Sequence, residues 1–340
     1  MKSQGPKRSE VALAAGVSGY TVSMVLRNLP GVSIEKRNKV IAAANKLGYR
    51  INPVAAMLAQ QKTKHNQKLP RIAILSEGNF DIRSLIQEGN NQGLDISHRK
   101  PSSYSNAESA SRHLWHEGFS GLFIDLHEWP WSVEETLKFN WNRFSNVKFS
   151  RQFPELKFHV VRLSPFDYIN SAITHVVSSG YKNIGITLLN NSGSQSDDDA
   201  RWGALLNWQH RKLDKSTTIH PFRLDSFTES NSLKEQIKWL NKIKPDALIL
   251  YHWFQYQSLA KAYPINKLKK LSICSILSSN EPLPYGPIVS GFDINKQETN
   301  LRACQLMKQL LMRGETGSQL LASEIVIKPQ WISGETFLPK

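Results

Sequence analysis

Apolar residues in the first fifty positions recur at helical spacing in three short runs broken by glycine and serine. The stretch 11–29, VALAAGVSGYTVSMVLRNL, predicts a helix from about Ser9 to Ala15, a break at Gly16, and a second helix from Gly19 to about Asn28. Gly16 sits where two helices must cross sharply, and only a residue without a Cβ takes a left-handed turn there at little cost. Ser18 is placed to cap the second helix through its hydroxyl. Val11, Ala14, Val17, Val22 and Val25 can share one small core, which leaves Gly19, Tyr20, Thr21, Ser23, Met24 and Arg27 outward. A third helix follows, with Ser33 as its N-cap, Val40, Ile41, Ala44 and Leu47 as its apolar stripe, and Gly48 as its stop. A helix-Gly-helix corner alone also suits an ordinary helical domain. With the third helix it has the form of a helix-turn-helix headpiece, whose second helix is free to enter a DNA major groove.

Past Gly48 the pattern changes. Asn52 can cap a short helix with Pro53 in its first turn, running from Val54 to about Gln60, too short to be stable alone. The polar run 61–68 then reads as a linker. From Leu69 onward, β-type runs at 71–75, 121–125, 158–163, 183–189, 246–251, 271–277 and 324–329 alternate with amphipathic stretches at 166–180, 200–212, 230–243 and 296–313. That alternation predicts parallel sheets with helices on both faces and ligands at the carboxyl ends of the strands. So many elements suit two lobes rather than one. The division predicted is 1–51 for the headpiece, 52–68 for a hinge helix and linker, and 69–340 for a two-lobed α/β region.

Charge sharpens the picture. Residues 1–68 hold twelve Lys/Arg against two Asp/Glu, a surplus of ten out of the chain's net +15. Two thirds of the excess charge in one small helical unit is what a contact with a polyanion requires. The two cysteines, Cys274 and Cys304, form no metal-type spacing, and a reducing cytoplasmic setting is expected. Neither a signal-type segment nor a run of about 18 apolar residues occurs, so no membrane partner is expected. Asp197, Asp198 and Asp199 are read as favouring the start of the helix that follows rather than as a metal site. No nucleophile elbow, GxGxxG or phosphate loop is found, and neither catalysis nor a cofactor is expected.

The segment SEVALAAGVSGYTVSMVLRNLPGVSIEKRNKVIAAANKLGYRINPVAAMLAQQ resembles the headpiece and hinge of the LacI/PurR (lactose-repressor/purine-repressor) family of bacterial transcription regulators. AGVS, TVS, VL, VS, LGY and NP…A..L all fall at family spacing, and the resemblance runs over about residues 8–61. It implies an N-terminal all-α helix-turn-helix headpiece joined to an α/β, two-lobed, periplasmic-binding-protein-like effector domain that the chain crosses three times, here near 163–166, 288–291 and 320–324. It implies a sequence-specific regulator, a repressor in most such proteins, working as a homodimer on a pseudo-palindromic double-stranded DNA operator under control of a small molecule. By alignment, Gly19, Tyr20 and Met24 fall on base-reading positions. Ser18, Thr21, Ser23, Arg27, Asn28 and Arg50 fall near phosphates or at the edge of the groove. Leu58 falls on the hinge leucine that wedges into the minor groove. Ala56 and Met57 stand where arginine and serine are usual before that leucine.

The second region resembles the family more loosely, through SSGYKNIGIT, KPDALIL, NLRACQLMKQLLMRGE and IKPQWISGET. Effector positions differ. The usual arginine three places before the helix glycine is Ala200 here, with Arg201 beside it. LILYHWF lacks the acidic residue after its strand, and Ser275-Ile276-Leu277 replaces a Gly-aromatic-Asp. No member's effector carries over. Loops after the strands nominate Asn79, Phe80, Trp129, Arg201, Trp202, Trp253 and Asp293 as cleft-lining residues. Their aromatic content suits a sugar best and a purine second. The alternatives are a constitutive dimeric DNA binder with a degenerate effector site, or a non-regulatory sugar-binding protein.

Overall fold

The computed structural model describes residues 8–26, 31–47, 49, 69–78, 81–189, 195–212, 215–224, 230–284, 286–338 and 340. They fall into two compact units, Met1–Leu69 and Pro70–Lys340. In the first unit, α1 (Arg8–Ala15), α2 (Gly19–Leu26) and α3 (Ile34–Leu47) surround one small core. The chain bends by 96° between Ser9–Ala15 and Gly19–Leu26. The bend occurs at Gly16, whose φ of +63° is left-handed. The Ser18 hydroxyl accepts from the Thr21 amide at 3.1 Å, the expected cap.

Two details of this core differ from expectation. Ala14 is exposed, and Ala12 and Ala15 are buried in its place. On α3, Val40 and Ala44 are buried as expected, but Ile41 and Leu47 are exposed and Ala43 takes their part. The reason is the closeness of α1 to α3. Small side chains (Ala12, Ala15, Ala43, Ala44) form the seam, and the larger Ile41 lies about 100° round the helix from Val40.

The second unit contains two six-stranded sheets. The strands are β1 (Arg71–Leu75), β2 (Asp95–Arg99), β3 (Phe119–Ile124), β4 (Ser145–Lys148), β5 (His159–Leu163), β6 (Asn183–Leu189), β7 (Thr218–Leu224), β8 (Ala247–His252), β9 (Ser272–Ser278), β10 (Gly291–Asp293), β11 (Glu324–Ile327) and β12 (Trp331–Ile332). The first sheet runs β11-β5-β4-β3-β1-β2 and the second β12-β10-β9-β8-β6-β7. Every pairing is parallel except β10 with β12. The helices that lie between strands and matter below are α4 (Ile82–Gln92), α5 (Ala107–His116), α6 (Val133–Leu137), α7 (Pro165–Ser178), α8 (Gln195–Asn207), α9 (Ser230–Ile243), α10 (Phe254–Ala262) and α11 (Lys296–Arg313).

Each sheet has its own core. Phe123, Val147, Val161 and Met307 pack under α4 and α11 in the first lobe, and Ile184, Ile186, Ile249 and Cys274 pack under α7 and α8 in the second. The chain passes between the sheets three times. The first passage, at Ser164, lies where it was expected. Ser164 caps α7 by accepting from the Asp167 amide at 3.2 Å, and Pro165 opens the helix. The other two fall later than expected, at 294–295 rather than 288–291 and at 328–330 rather than 320–324. The short strands β10 and β11 extend each sheet before the chain leaves it.

Candidate nucleic-acid interface and interlobe cleft

On α2, Val22 and Val25 are buried against the headpiece core. Tyr20 is 75% exposed, and Gly19, Thr21, Ser23 and Met24 are partly exposed. The helix therefore keeps one face for its own core and offers the other to a partner. The Met24 methyl end lies beside Gly31. Of the other headpiece positions, Ser18 is exposed while its hydroxyl caps α2. Arg27, Asn28, Arg50 and Leu58 lie outside the described residues.

In the second unit, a cavity of about 200 Å³ lies where the carboxyl ends of the two sheets face each other. Phe149, Arg162 and Leu163 come from the first lobe, and Tyr168, Asp197, Arg201 and Leu277 from the second. Its polar lining consists largely of ion pairs. Arg162, at the end of β5, is buried. It pairs with Glu324 of its own lobe and lies 3.7 Å from Asp197 of the other. Glu324 also takes Arg151 at 2.6 Å. The two guanidinium groups hold the Glu324 carboxyl below its ordinary range, against the opposing effect of burial. Arg201 pairs with Asp198 one turn back on α8, and its guanidinium stands 4.9 Å from the Tyr251 ring centre.

The three passages meet in one group of hydrogen bonds beside this cavity. The Tyr168 hydroxyl donates to the Asp293 carbonyl at 2.6 Å. Asn295, in left-handed backbone at φ +47°, donates through Nδ2 to Tyr168 Oη at 3.1 Å and to the Lys328 carbonyl at 3.0 Å. Asp293 fixes the turn by accepting from the Asn295 amide at 2.9 Å. One asparagine thus ties the second passage to the third and to the helix that follows the first.

Comparison with known proteins gives the architecture its setting. The family described as "Bacterial regulatory proteins, lacI family" matches residues 9–52. The chain is 25% identical to the HTH-type transcriptional regulator LacR of Lactobacillus helveticus over 89% of this chain and 91% of that protein. It is 47% identical to the HTH-type transcriptional regulator RegA of Clostridium saccharobutylicum over 55 residues, 16% of this chain and 17% of that one. Residues 9–52 thus match the lacI family, and over most of its length the chain is similar to one HTH-type transcriptional regulator. Solved structures share the fold. A Lac repressor dimer bound to operator and an anti-inducer aligns with a TM-score of 0.56 at 17% identity, over 98% of this chain and 99% of that one. A complex of the regulator CelR with cellobiose aligns with a TM-score of 0.55 at 15% identity, over 97% of this chain and 99% of that one.

The interlobe cleft brings together fewer of the expected residues than the strand loops suggested. Arg201 lines the cavity, as a buried ion-paired group. Asp293 lies partly exposed at the second passage, bonded to Tyr168 and Asn295. Trp129 is packed in the first lobe, with its Nε1 donating to Thr136 at 2.9 Å and its ring edge-on to Trp131. Trp202 packs on the second-lobe core under the Arg223 guanidinium. Trp253 is buried with Leu283 and Val289. None of these three tryptophans lines this cavity, where an aromatic platform was expected. Asn79 and Phe80 lie outside the described residues.

Arg162, Tyr168 and Asn295 were missed from sequence. Arg162 had left a signal, a lone charge in the apolar run FHVVRL just before a passage. Asp197, expected only to favour the start of its helix, does lie in the first turn of α8 and also faces Arg162.

His252, at the end of β8, adds a pH-dependent element. Burial, with a smaller effect from the Lys296 charge at the start of α11, pushes its imidazole down to about 4. Lys296 itself is 3.3 Å from Asp81. The folded state therefore prefers the neutral ring. The stability this gives is present above the ordinary value of 6.5 and is lost as pH falls toward 4. Between pH 7 and pH 4 the protein should lose about 2 kcal/mol more than a His252→Gln variant in urea denaturation. Parallel losses in the two proteins would refute the assignment.

Proposed function

We propose that this protein is a homodimeric repressor of the LacI family that reads a pseudo-palindromic double-stranded operator with α2 and binds a small effector, a sugar, between its lobes. The observation that carries the reading is the pair of sheets whose carboxyl ends enclose a cavity bearing ion pairs, with three chain passages bonded together at its edge. A ligand that changes the lobe angle biases the same equilibrium that operator binding biases, so each affects the other's affinity by the same factor. The cavity of about 200 Å³ is smaller than ordinary ligand pockets, which fits lobes drawn together around ion pairs that a ligand would rearrange. Those ion pairs equally favour a second reading, a constitutive operator binder whose cleft is filled by its own side chains.

Selecting bound DNA from a random pool tests the first half. A single palindromic consensus is expected, and failure to enrich any sequence would overturn operator recognition. Calorimetry against a panel of mono- and disaccharides separates the two readings, since the constitutive binder gives no saturable heat with any of them.

Met24 is proposed to pack on a thymine methyl, because a thioether cannot donate to guanine. Met24→Arg should then move the selected base opposite it from A·T toward G·C, with a discrimination of about 1–3 kcal/mol. An unchanged consensus would remove Met24 from the reading positions.

A further inference from the structure

A larger cavity lies elsewhere, at the opposite end of the second lobe. It has a volume of about 880 Å³ and lies between α10, the helical turn Ile265–Leu268, the start of β9, the chain around Leu283 and Pro284, and the C-terminal segment at Glu335 to Leu338. Strand β9 separates it from the interlobe cleft. Ile273 lines this cavity, whereas Leu277 lines the cleft four residues later, about 13 Å along an extended strand. The volume falls within the range of small-molecule sites.

The floor is aliphatic. Leu268, Leu271, Ile273 and Leu283 are each buried. The polar groups on the walls are mainly donors. Lys261 and Lys269 both line the cavity, and among the described residues neither has an ion-pair partner. Tyr256 also lines it, and burial, followed by the nearby Glu335, raises its hydroxyl above the ordinary range, so the O–H stays available as a donor. The one lining carboxylate, Glu335, accepts from the Ile288 amide at 3.3 Å. An aliphatic floor under two ammonium groups and a phenol suits a molecule with an apolar body and one negative end. It suits a saccharide poorly, because a sugar needs a row of acceptors as well as donors.

We propose that this cavity is a second small-molecule site that takes a hydrophobic monocarboxylate, of the medium-chain fatty acid type. Its chain lies on Leu271, Ile273 and Leu283 and its carboxylate faces Lys261, Lys269 and Tyr256.

Calorimetry on the full-length protein with decanoate and with decanol tests it. Decanoate should bind saturably at one site per chain, at least tenfold more tightly than decanol. A Lys261→Gln, Lys269→Gln double variant should lose that preference, since the two ammonium groups are the charges that favour the carboxylate over the alcohol. Both lysines are exposed, so this variant folds as the parent does. Ala260→Trp should abolish binding by filling the cavity from α10. Leu338→Trp, at a half-exposed rim position, should do the same without burdening helix packing. Equal affinity for decanoate and decanol, or a lysine variant that keeps the preference, would overturn the carboxylate assignment. Absence of saturable decanoate binding would overturn the site. If decanoate fails to bind and Leu338→Trp changes self-association in sedimentation, the cavity belongs to an interface between two copies of the chain and the proposal is wrong.

Discussion

Replacing Arg201 by alanine should cost the two-sheet unit about 3 kcal/mol, read as a lowered urea midpoint at unchanged slope. Arg201 and Asp198 are 9% and 4% exposed, so neither charge can fall back on water when its partner is removed. The guanidinium loses its place over the Tyr251 ring at the same time, a contact worth about 1 kcal/mol where water is excluded. One effect works the other way. Asp198 lies in the first turn of α8, where the helix dipole retains some stabilisation of its carboxylate. The alternative is that the pair is only a packing unit. A double variant, Arg201→Met with Asp198→Asn, should therefore recover to within about 1 kcal/mol of the parent, because a buried ion pair replaced as a pair costs little. A single-variant loss below 1 kcal/mol would show that the pair does not hold the cleft. Ligand affinity measured well below the melting temperature then isolates any clamping role of Arg201 from its structural one.

How far this was legible in the sequence depended on which interactions were local. Strands β1 and β6 were predicted to the residue, because both are short runs dominated by Ile and Leu. The cap at Ser18 and the turn at Gly16 were equally plain, since both follow from chemistry within three residues. Strand β4, with the sequence SNVK, gave no such sign, yet all four residues are buried. Its polar side chains donate to main-chain carbonyls: Ser145 to Glu315, Asn146 to Trp141 and Phe144, and Lys148 to Gln152 and Phe153, while Asn146 Oδ1 is buried without a partner. Hydropathy announces none of these bonds, and the Ser145 partner lies 170 residues away in the chain. Strand β7 was hidden by Pro221, which is tolerated because β7 is an edge of its sheet. The cleft was the least legible part. Its position followed from the alternation of strands and helices, but its lining depends on which loop residues turn inward. The tryptophans turned to fill the lobes, and the charges at Arg162 and Asp197 turned to the cavity.

A methyl group at Gly291 should be more damaging than its size suggests. Built on this backbone, the Cβ of Gly291→Ala would stand 2.3 Å from the Ser275 carbonyl oxygen and 2.8 Å from the Ser275 nitrogen. Both are main-chain atoms of the paired strand β9, so no side chain can swing aside to make room. Strand β10 must move away from β9 or the pairing must break, and overpacking of this kind costs about 1–3 kcal/mol, with this site at the upper end. The consequence for function follows from where β10 leads. Two residues on, the Asp293 carbonyl takes the Tyr168 hydroxyl, and Asn295 then joins the second passage to the third. Displacing β10 loosens the group that ties the passages together. The variant should bind operator while losing its response to the ligand. Gly203→Ala is the matching control. Gly203 lies inside helix α8, and a Cβ there meets nothing within 4 Å. That change should be neutral or stabilise by up to about 1 kcal/mol. Opposite signs for the two alanines in urea denaturation are the expected result. A Gly291→Ala protein as stable and as ligand-responsive as the parent would refute the role given to β10.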